Sequence, residues 1–342
     1  MNPKTLIIIG NGIASWRVNA ELEKKFVDTK IIRIGTDEFA PGCSFRSTAV
    51  NCLRGTKKNI SRLGDLIVDS HLEFESFYQE NAPHGVDKTY EWQLWDQNGE
   101  NRDKWEKRYG PGGEIDEVDG IKLSHKFQGC QSPAYLINPE LFYRWQVQQF
   151  QNTEYLNEFV TEVNRKDSGF LVKTHNGLEV FGEKLFICGG YLSHNFMDLV
   201  EDGLAKDYLQ RCKPVRGSFM SSKAAWPGKG LSLAVGSSHL IFRESDQTLM
   251  IGSTSENNSA LQVPMQNELE MIYQKILGAL KDPRILPPRE MWTIVNGVRH
   301  KGVKREPFWG ELSPNCHGVF GLYKNAFSFS FLAAKKLVEA LS

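Results

Sequence analysis

The N-terminal segment "TLIIIGNGIASWRVNAEL", Thr5 to Leu22, constrains the fold more than any other stretch of the chain. A run of β-forming residues ends at Gly10, and a pattern of apolar residues at helical spacing begins at Ile13. Lys30 to Ile34 then reads as a second buried strand, which makes the start of the chain a βαβ unit. The sequence therefore predicts a parallel sheet with a tight turn after its first strand.

The turn has the pattern G-x-G-x-x-S, formed by Gly10, Gly12 and Ser15. Gly10 permits the sharp turn, and Gly12 leaves room for a pyrophosphate beside the unpaired N–H groups at the helix start. Ser15 is small enough to keep the helix close to the strand. The pattern predicts a dinucleotide site, with a plain glycine turn as the alternative. The usual ribose-binding acid is replaced by Gly35, so Asp37 is our candidate, and an ordinary loop carboxylate is the alternative.

Composition limits the class of protein and its partners. At 342 residues the chain exceeds the size at which one core usually keeps growing, which favours two domains. The formal net charge is zero, so no global field attracts nucleic acid or a membrane surface. Without a long apolar segment or a secretory signal, we expect a cytoplasmic protein with no membrane contact. The six scattered cysteines predict neither a metal site nor disulfides.

Further elements follow from local patterns along the chain. Between Asn81 and Gln131, short aromatic strand candidates alternate with turn-rich, charged stretches such as "NGENRDKWEKRYGPGG", and we interpret this region as an inserted domain. Asn138 and Pro139 predict the cap and first position of a helix. The remaining predictions are a buried strand at 184–188, strands across 211–253, and helices near 265–280 and 327–341.

Several segments together resemble the D-amino-acid oxidase superfamily of FAD-dependent oxidoreductases, which includes glycine and sarcosine oxidases. "GCSFRSTAVN" is similar to that family's loop along the FAD pyrophosphate and flavin. The other segments that carry the resemblance are "LFICGGYLS", "KPVRGSF", "IGSTSE", "NGVRHKGVKREPFWG" and "GLYKNAFSFSFLAAKKLVEAL". The resemblance implies an α/β fold, in which a Rossmann-like FAD-binding domain carries an inserted, mainly antiparallel-sheet substrate domain.

The expected division of the chain has five parts. The FAD-binding domain is expected at 1–80, 138–208 and 299–342, and the substrate domain at 81–137 and 209–298.

The resemblance also implies a reaction and a cofactor. Relatives remove a hydride from a carbon bearing an amine, deliver it to flavin N5, and release an imine that water hydrolyses. FAD is expected to be noncovalent, because Cys316 does not match the position of the covalent link in sarcosine oxidases. The residues expected to hold FAD are Gly10, Asn11, Gly12, Ile13, Ala14, Ser15, Thr36, Asp37, Ser44, Arg46, Val160, Gly189, Gly190, Tyr323, Asn325, Ala326, Phe327 and Ser328.

Two residues are the candidates for catalysis. Arg299 occupies the Gly-x-Arg position from which related enzymes bind a substrate carboxylate; pairing with an internal carboxylate is the alternative. Lys324 begins the stretch to Ser328 whose backbone N–H groups would stabilise negative charge on the flavin, although this stretch could merely be a packed helix entry. Ala326 stands where glycine is common, so the turn must avoid a positive φ there.

Within the superfamily, the segments "IGNGIAS" and "IGTDEFAPGCSFR" are most similar to the FAD half of bacterial wobble-uridine tRNA modification enzymes, here without a methyltransferase half. This makes an oxidoreductase acting on a carboxymethylaminomethyl group of tRNA the alternative function. A non-catalytic FAD-binding protein is a further one. The basic cluster that would meet tRNA phosphates, or simply form a solvated loop, comprises Arg299, His300, Lys301, Lys304 and Arg305, with a second stretch at Arg54, Lys57, Lys58 and Arg62. Tyr323, His194 and His239 either line the pocket or have structural roles.

Overall fold

The computed structural model describes residues 4–36, 42–96, 99, 102–224, 226, 228–261 and 263–341. In chain order, its strands are β1 (Thr5–Ile9), β2 (Lys30–Ile34), β3 (Val50–Cys52), β4 (Val86–Trp95), β5 (Gly113–Val118), β6 (Ile121–Ile137), β7 (Thr153–Leu156), β8 (Val160–Lys166), β9 (Gly169–Thr174), β10 (Glu179–Gly182), β11 (Lys184–Ile187), β12 (Lys213–Lys223), β13 (Leu231–Val235), β14 (Ser238–Arg243), β15 (Thr248–Gly252), β16 (Glu256–Asn257), β17 (Thr293–Lys301), β18 (Phe308–Ser313) and β19 (Cys316–Phe320). Its α-helices are α1 (Ile13–Lys25), α2 (Arg62–Asn81), α3 (Arg102–Tyr109), α4 (Pro139–Val147), α5 (Gly203–Arg211), α6 (Gln266–Ala279) and α7 (Ala326–Glu339).

One sheet has six strands in the order β18-β19-β11-β1-β2-β7. Its strands run parallel except β18, which is antiparallel to β19. The central strand β1 is apolar on both faces, because α1 and α7 pack on one side and the β8-β9-β10 sheet with α5 packs on the other. The predicted βαβ unit at the N-terminus is therefore confirmed.

A second, larger sheet has the path β16-β12-β15-β14-β13-β4-β6-β3, with β17 paired to β12 and β5 paired to β6. The pairs are antiparallel apart from β13 with β4. Helix α6 packs Leu269 and Ile276 against Leu233, Leu240 and other buried side chains of this sheet. The predicted α/β class, with one parallel and one mainly antiparallel sheet, is confirmed.

Local signals explain where some elements begin. The Asn138 side chain accepts hydrogen bonds from the backbone N–H groups of Glu140, at 3.0 Å, and Leu141, at 3.1 Å, so the predicted cap of α4 is confirmed. The turn-rich stretch after Asn98 also contains a helix, α3, which the sequence analysis did not predict. This helix is stabilised by burial of Trp105 and by a 2.6 Å ion pair between Arg102 and Glu106.

The chain passes repeatedly between the two large sheets. Strands β3 to β6 and β12 to β17 belong to the larger sheet, whereas β1, β2, β7, β11, β18 and β19 belong to the six-stranded sheet. The exact domain boundaries stay a prediction. The carboxyl ends of β1, β2 and β11 point toward one face of the larger sheet, and a cavity lies between them.

Candidate active site

A cavity of about 360 Å³ lies where the parallel strands of the six-stranded sheet end. Clefts of this kind, at the carboxyl ends of parallel strands, are where α/β proteins bind nucleotides. One part of its wall comes from the turns after β1, β2 and β11, and another from β14, β15 and β17 of the larger sheet. The cavity therefore joins a nucleotide-type turn to the surface of the second sheet.

Glycines allow the ends of three strands to approach one another closely. Gly10 has a φ of +134°, and a Cβ atom there would lie 2.4 Å from the carbonyl oxygen of Cys188. A Cβ atom on Gly35 would lie 2.8 Å from the backbone nitrogen of Asn11. Both distances are too short for any side chain, so the close approach of these strand ends requires glycine at Gly10, after β1, and at Gly35, after β2.

The start of α1 offers polar groups to the cavity. Gly12 is the N-cap residue, and the backbone N–H of Ile13 donates to Ser44 Oγ at 2.9 Å. Asn11 Oδ1 is buried without a hydrogen-bond partner among the described residues, which leaves it free to accept from a ligand. Ser15 is fully buried, and its hydroxyl donates to the Gly12 carbonyl at 2.7 Å. Ser15 thus closes the first turn of the helix and does not line the cavity.

Most residues predicted to hold a cofactor line this cavity. They are Gly10, Asn11, Gly12, Ile13, Ala14, Thr36, Ser44, Val160, Gly189, Gly190, Tyr323, Asn325, Ala326 and Phe327. Arg46 and Ser328 lie outside the lining; the Ser328 hydroxyl donates to the Asn325 carbonyl at 3.0 Å. Asp37 lies outside the described residues. The roles of all these residues stay predictions.

The entry to α7 avoids strain at Ala326, where the resemblance led us to expect glycine. Ala326 has a φ of −56°, an ordinary helical value, and the positive φ of the turn falls instead on Gly321, at +71°, and Tyr323, at +51°. The expectation that Ala326 avoids a positive φ is confirmed. Asn325, Ala326 and Phe327 bring the first turn of α7 to the cavity, with its unpaired backbone N–H groups.

Arg299 projects from β17 into the cavity. Its guanidinium donates to the Thr254 carbonyl and to Ser253 Oγ, each at 3.4 Å, and these are long, weak hydrogen bonds. A Cβ atom on Gly217, in the neighbouring strand β12, would lie 1.9 Å from one of its terminal nitrogens. Gly217 therefore leaves the space that the guanidinium occupies. Within the described ranges, Arg299 forms no ion pair with a carboxylate, and its binding of a substrate carboxylate stays a prediction.

Lys324 also faces the cavity and lies among other cations. Its side chain is open to the cavity, but the surrounding protein removes much of the water from the ammonium group. This desolvation, followed by repulsion from Arg299, Arg54, Arg305 and Lys301, lowers the pKa of Lys324 to about 8. Lys324 therefore changes its charge close to physiological pH.

Sequence analysis missed a buried ionic group on the floor of the cavity. Arg54, directly after β3, places its Nε 3.4 Å from Oε1 of Glu91, which is fully buried in β4. Nε2 of His239 lies 3.8 Å from the same oxygen. Burial, together with the charges of Arg54 and Lys324, lowers the pKa of His239 to about 3, so its ring is neutral at pH 7. The sequence placed Arg54 only in a basic stretch, because its partner is distant in the chain.

Comparison with protein families identifies the family of the chain that forms this cavity. The model of the DAO family, described as FAD dependent oxidoreductase, matches residues 5–340. The chain belongs to this family.

Solved structures show the same fold at low sequence identity. Glycine oxidase from Geobacillus kaustophilus aligns with a TM-score of 0.76 and 16% identity, covering 99% of this chain and 95% of that one. Iminodiacetate oxidase from Chelativorans sp. BNC1 aligns with a TM-score of 0.74 and 15% identity, covering 97% of this chain and 94% of that one. FAD-bound L-α-glycerophosphate oxidase from Mycoplasma pneumoniae aligns with a TM-score of 0.74 and 13% identity, covering 98% of this chain and 94% of that one. No curated protein matches the chain by sequence at a significant level.

The residues present fit FAD, the cofactor of this family. The turn after β1 leaves no room for a side chain at Gly10 and exposes the start of α1, which suits a pyrophosphate. The unpartnered Asn11 Oδ1 is an acceptor for a ligand hydroxyl. Cys316 is fully buried in β19 and lies outside the cavity lining, so noncovalent attachment stays our prediction.

The predicted basic cluster does not form one surface. Arg299 faces the cavity, while the next residue, His300, is buried, with its ring 5.1 Å from that of His194. Lys304 and Arg305 are exposed in the following turn. The comparisons support no tRNA partner, and the geometry adds none.

Tyr323 and His239 line the cavity, whereas His194 does not. Within the described residues, no helix is long and apolar enough to cross a bilayer.

Proposed function

We propose that this protein oxidises the C–N bond of an amino acid or N-substituted glycine. The observation that carries the proposal is Arg299, a cavity-lining guanidinium whose contacts within the described residues are only long hydrogen bonds. Such a group binds a planar carboxylate through two parallel hydrogen bonds and keeps its charge when water is excluded. The two-electron oxidation is chemistry that bound FAD supplies.

The protein's own residues prepare the substrate for that chemistry. Arg299 would fix one end of the substrate, which orients the adjacent C–H bond within the cavity. The cations around Lys324 disfavour a further positive charge, so they lower the pKa of a bound ammonium group and favour the free amine. The free amine is the form that can release electrons to an oxidant.

The start of α7 is the second part of the proposed machinery. The backbone N–H groups of its first turn would stabilise negative charge developing in the cavity, and Lys324 would add a positive charge below pH about 8. This role depends on the helix end rather than on the identity of Ala326.

The experiment is anaerobic bleaching of the FAD-loaded protein with amino acids, N-methyl and N-carboxymethyl amines, glycerol 3-phosphate and bulk tRNA. We expect N-substituted glycines or amino acids to reduce the flavin. Arg299→Met should raise their KM by about 10- to 100-fold at unchanged FAD content, because a charge-assisted bidentate contact is lost. Arg211→Met, which removes an exposed arginine paired with Asp207, is the matched control.

Other outcomes would contradict the proposal. Reduction only by glycerol 3-phosphate would point to C–O oxidation, and reduction only by tRNA would favour the modification enzyme. Bound FAD that none of these compounds reduces would indicate a non-catalytic flavoprotein.

A further inference from the structure

Arg54 presents a free hydrogen-bonding edge to the cavity. Its Nε lies 3.4 Å from both Cys52 Sγ and Glu91 Oε1, so this edge of the guanidinium faces the protein. Its two terminal nitrogens have no hydrogen bond to any described residue, and 39% of the side chain is exposed. Because a guanidinium has five donors in a planar fork, the terminal pair is free to bind an anion.

Glu91 holds Arg54 in this orientation. Its carboxylate is fully buried and, among the described residues, accepts no hydrogen bond, so Arg54 is its main source of compensation. The neutral His239 ring contributes no charge. Moving Arg54 into solvent would leave a buried carboxylate uncompensated, which is costly. The pair thus fixes a guanidinium at the cavity floor with its outer edge open.

The charges of the cavity are unbalanced around Arg299. Among the residues that the structure describes, four cations line it: Arg54, Arg108, Arg299 and Lys324. Within the described part of the chain, the carboxylate in the lining is Glu158, which follows β7 at the nucleotide end, beside Val160. A substrate with one carboxylate would pair with Arg299 and leave the outer edge of Arg54, whose charge Glu91 already balances, and the Lys324 ammonium without an anionic ligand.

We propose that the substrate is an amine with two carboxylates, one bound by Arg299 and the other by the free edge of Arg54. This inference rests on the proposed function, because Arg299 must hold the first carboxylate. Lys324 lines the same cavity as the two arginines, and both of their charges contribute to lowering its pKa. The planar edge of Arg54 favours a carboxylate as the second group. Glu91 is a positioning residue for Arg54.

The test uses two ligands that contain no amine and therefore cannot undergo the proposed oxidation. Diglycolate has two carboxylates flanking an ether oxygen, and methoxyacetate has one. Each is titrated into the FAD-loaded protein, and binding is followed by the change in flavin absorbance. Diglycolate should bind about ten-fold or more tightly than methoxyacetate, because it engages a second charged donor pair.

Variants locate the second subsite. Arg54→Gln should abolish the preference for diglycolate and leave methoxyacetate binding unchanged within about three-fold. Because this variant leaves Glu91 unpaired and could unfold, Arg54→Gln with Glu91→Gln removes both charges and should give the same result. Arg284→Gln, an exposed arginine paired with Asp282, is the control and should keep the preference.

Equal affinity for the two ligands in the wild type would overturn this inference, as would a preference that survives in both Arg54 variants. Bleaching by sarcosine without any preference for diglycolate would leave the proposed function standing and the second subsite refuted. An Arg54-dependent preference for diglycolate without reduction of the flavin by any amine would support the second subsite and refute the proposed function.

Discussion

The turn after β1 makes a sharp prediction for Gly10→Ala. The substitution adds one methyl group to the residue whose φ is +134° and whose Cβ position lies 2.4 Å from the Cys188 carbonyl oxygen. That oxygen belongs to the backbone directly after β11, so no side-chain rotation can relieve the contact. The ends of β1 and β11 must move apart, and the cofactor cradle opens with them.

The cost can be estimated from two contributions. Holding alanine in a region that favours glycine costs about 1 to 3 kcal/mol, and forcing packed backbone apart costs about 1 to 3 kcal/mol more. Unfolding entropy of about 2.1 cal/mol/K per residue makes 1 kcal/mol worth about 1.4 °C in a chain of 342 residues. The midpoint of thermal unfolding should therefore fall by about 3 to 8 °C, and FAD binding should weaken.

The assay is thermal unfolding of the FAD-free and FAD-loaded proteins, with FAD affinity measured by fluorescence titration. Gly120→Ala is the matched control: Gly120 has a φ of +84° but no atom within 4 Å of its Cβ position. The midpoint of thermal unfolding of Gly120→Ala should fall by only about 1 to 3 °C, at unchanged FAD affinity. If Gly10→Ala unfolds no lower than this control and binds FAD normally, the close approach of the strand ends is wrong.

Three further predictions concern individual contacts. Gly217→Ala should displace the flexible guanidinium of Arg299 and raise the KM of a carboxylate-bearing substrate by about ten-fold at unchanged FAD content, whereas Gly278→Ala, with open space around it, should not. Since Lys324 is protonated below pH about 8, methoxyacetate should bind more weakly as the pH rises from 7 to 9, and Lys324→Met should remove this dependence; a slope that persists would exclude Lys324 as its source. Ser44→Ala removes the acceptor of the Ile13 N–H and should lower the unfolding midpoint by about 1 to 2 °C in the FAD-free protein, against no change for the exposed Ser76→Ala.

Elements with strong local signals were predictable from the sequence. The predicted strand from Thr5 is observed at Thr5–Ile9, and the helix predicted near 265–280 is observed at Gln266–Ala279. Both have apolar residues at the spacing of their secondary structure, and the cap of α4 is a purely local hydrogen-bonding motif. These predictions hold because the tertiary contacts favour the same secondary structure as the local sequence does.

Features that depend on distant partners were not predictable. Helix α3 is short and highly charged, and its one buried residue, Trp105, provides no periodicity. Arg54 looked like part of a basic surface with Lys57 and Lys58, because nothing near it in sequence shows that it pairs with Glu91. Lys324 was named as a candidate from the resemblance, but its lowered pKa depends on desolvation by the surrounding protein and then on four cations that the fold brings together.

The order of strands in the six-stranded sheet has a consequence for biosynthesis. Strand β1 pairs with β11, which pairs in turn with β19 near the C-terminus, and the side chain of Lys25 in α1 donates to the carbonyl of Val338 at 2.9 Å. Domains generally fold as units while the ribosome extends the chain, and distant pairings form late. A nascent chain from which β19 and α7 have not yet emerged lacks an edge of the sheet and a helical layer. Cofactor capture must therefore wait until β19 and α7 have left the ribosome and packed against the sheet.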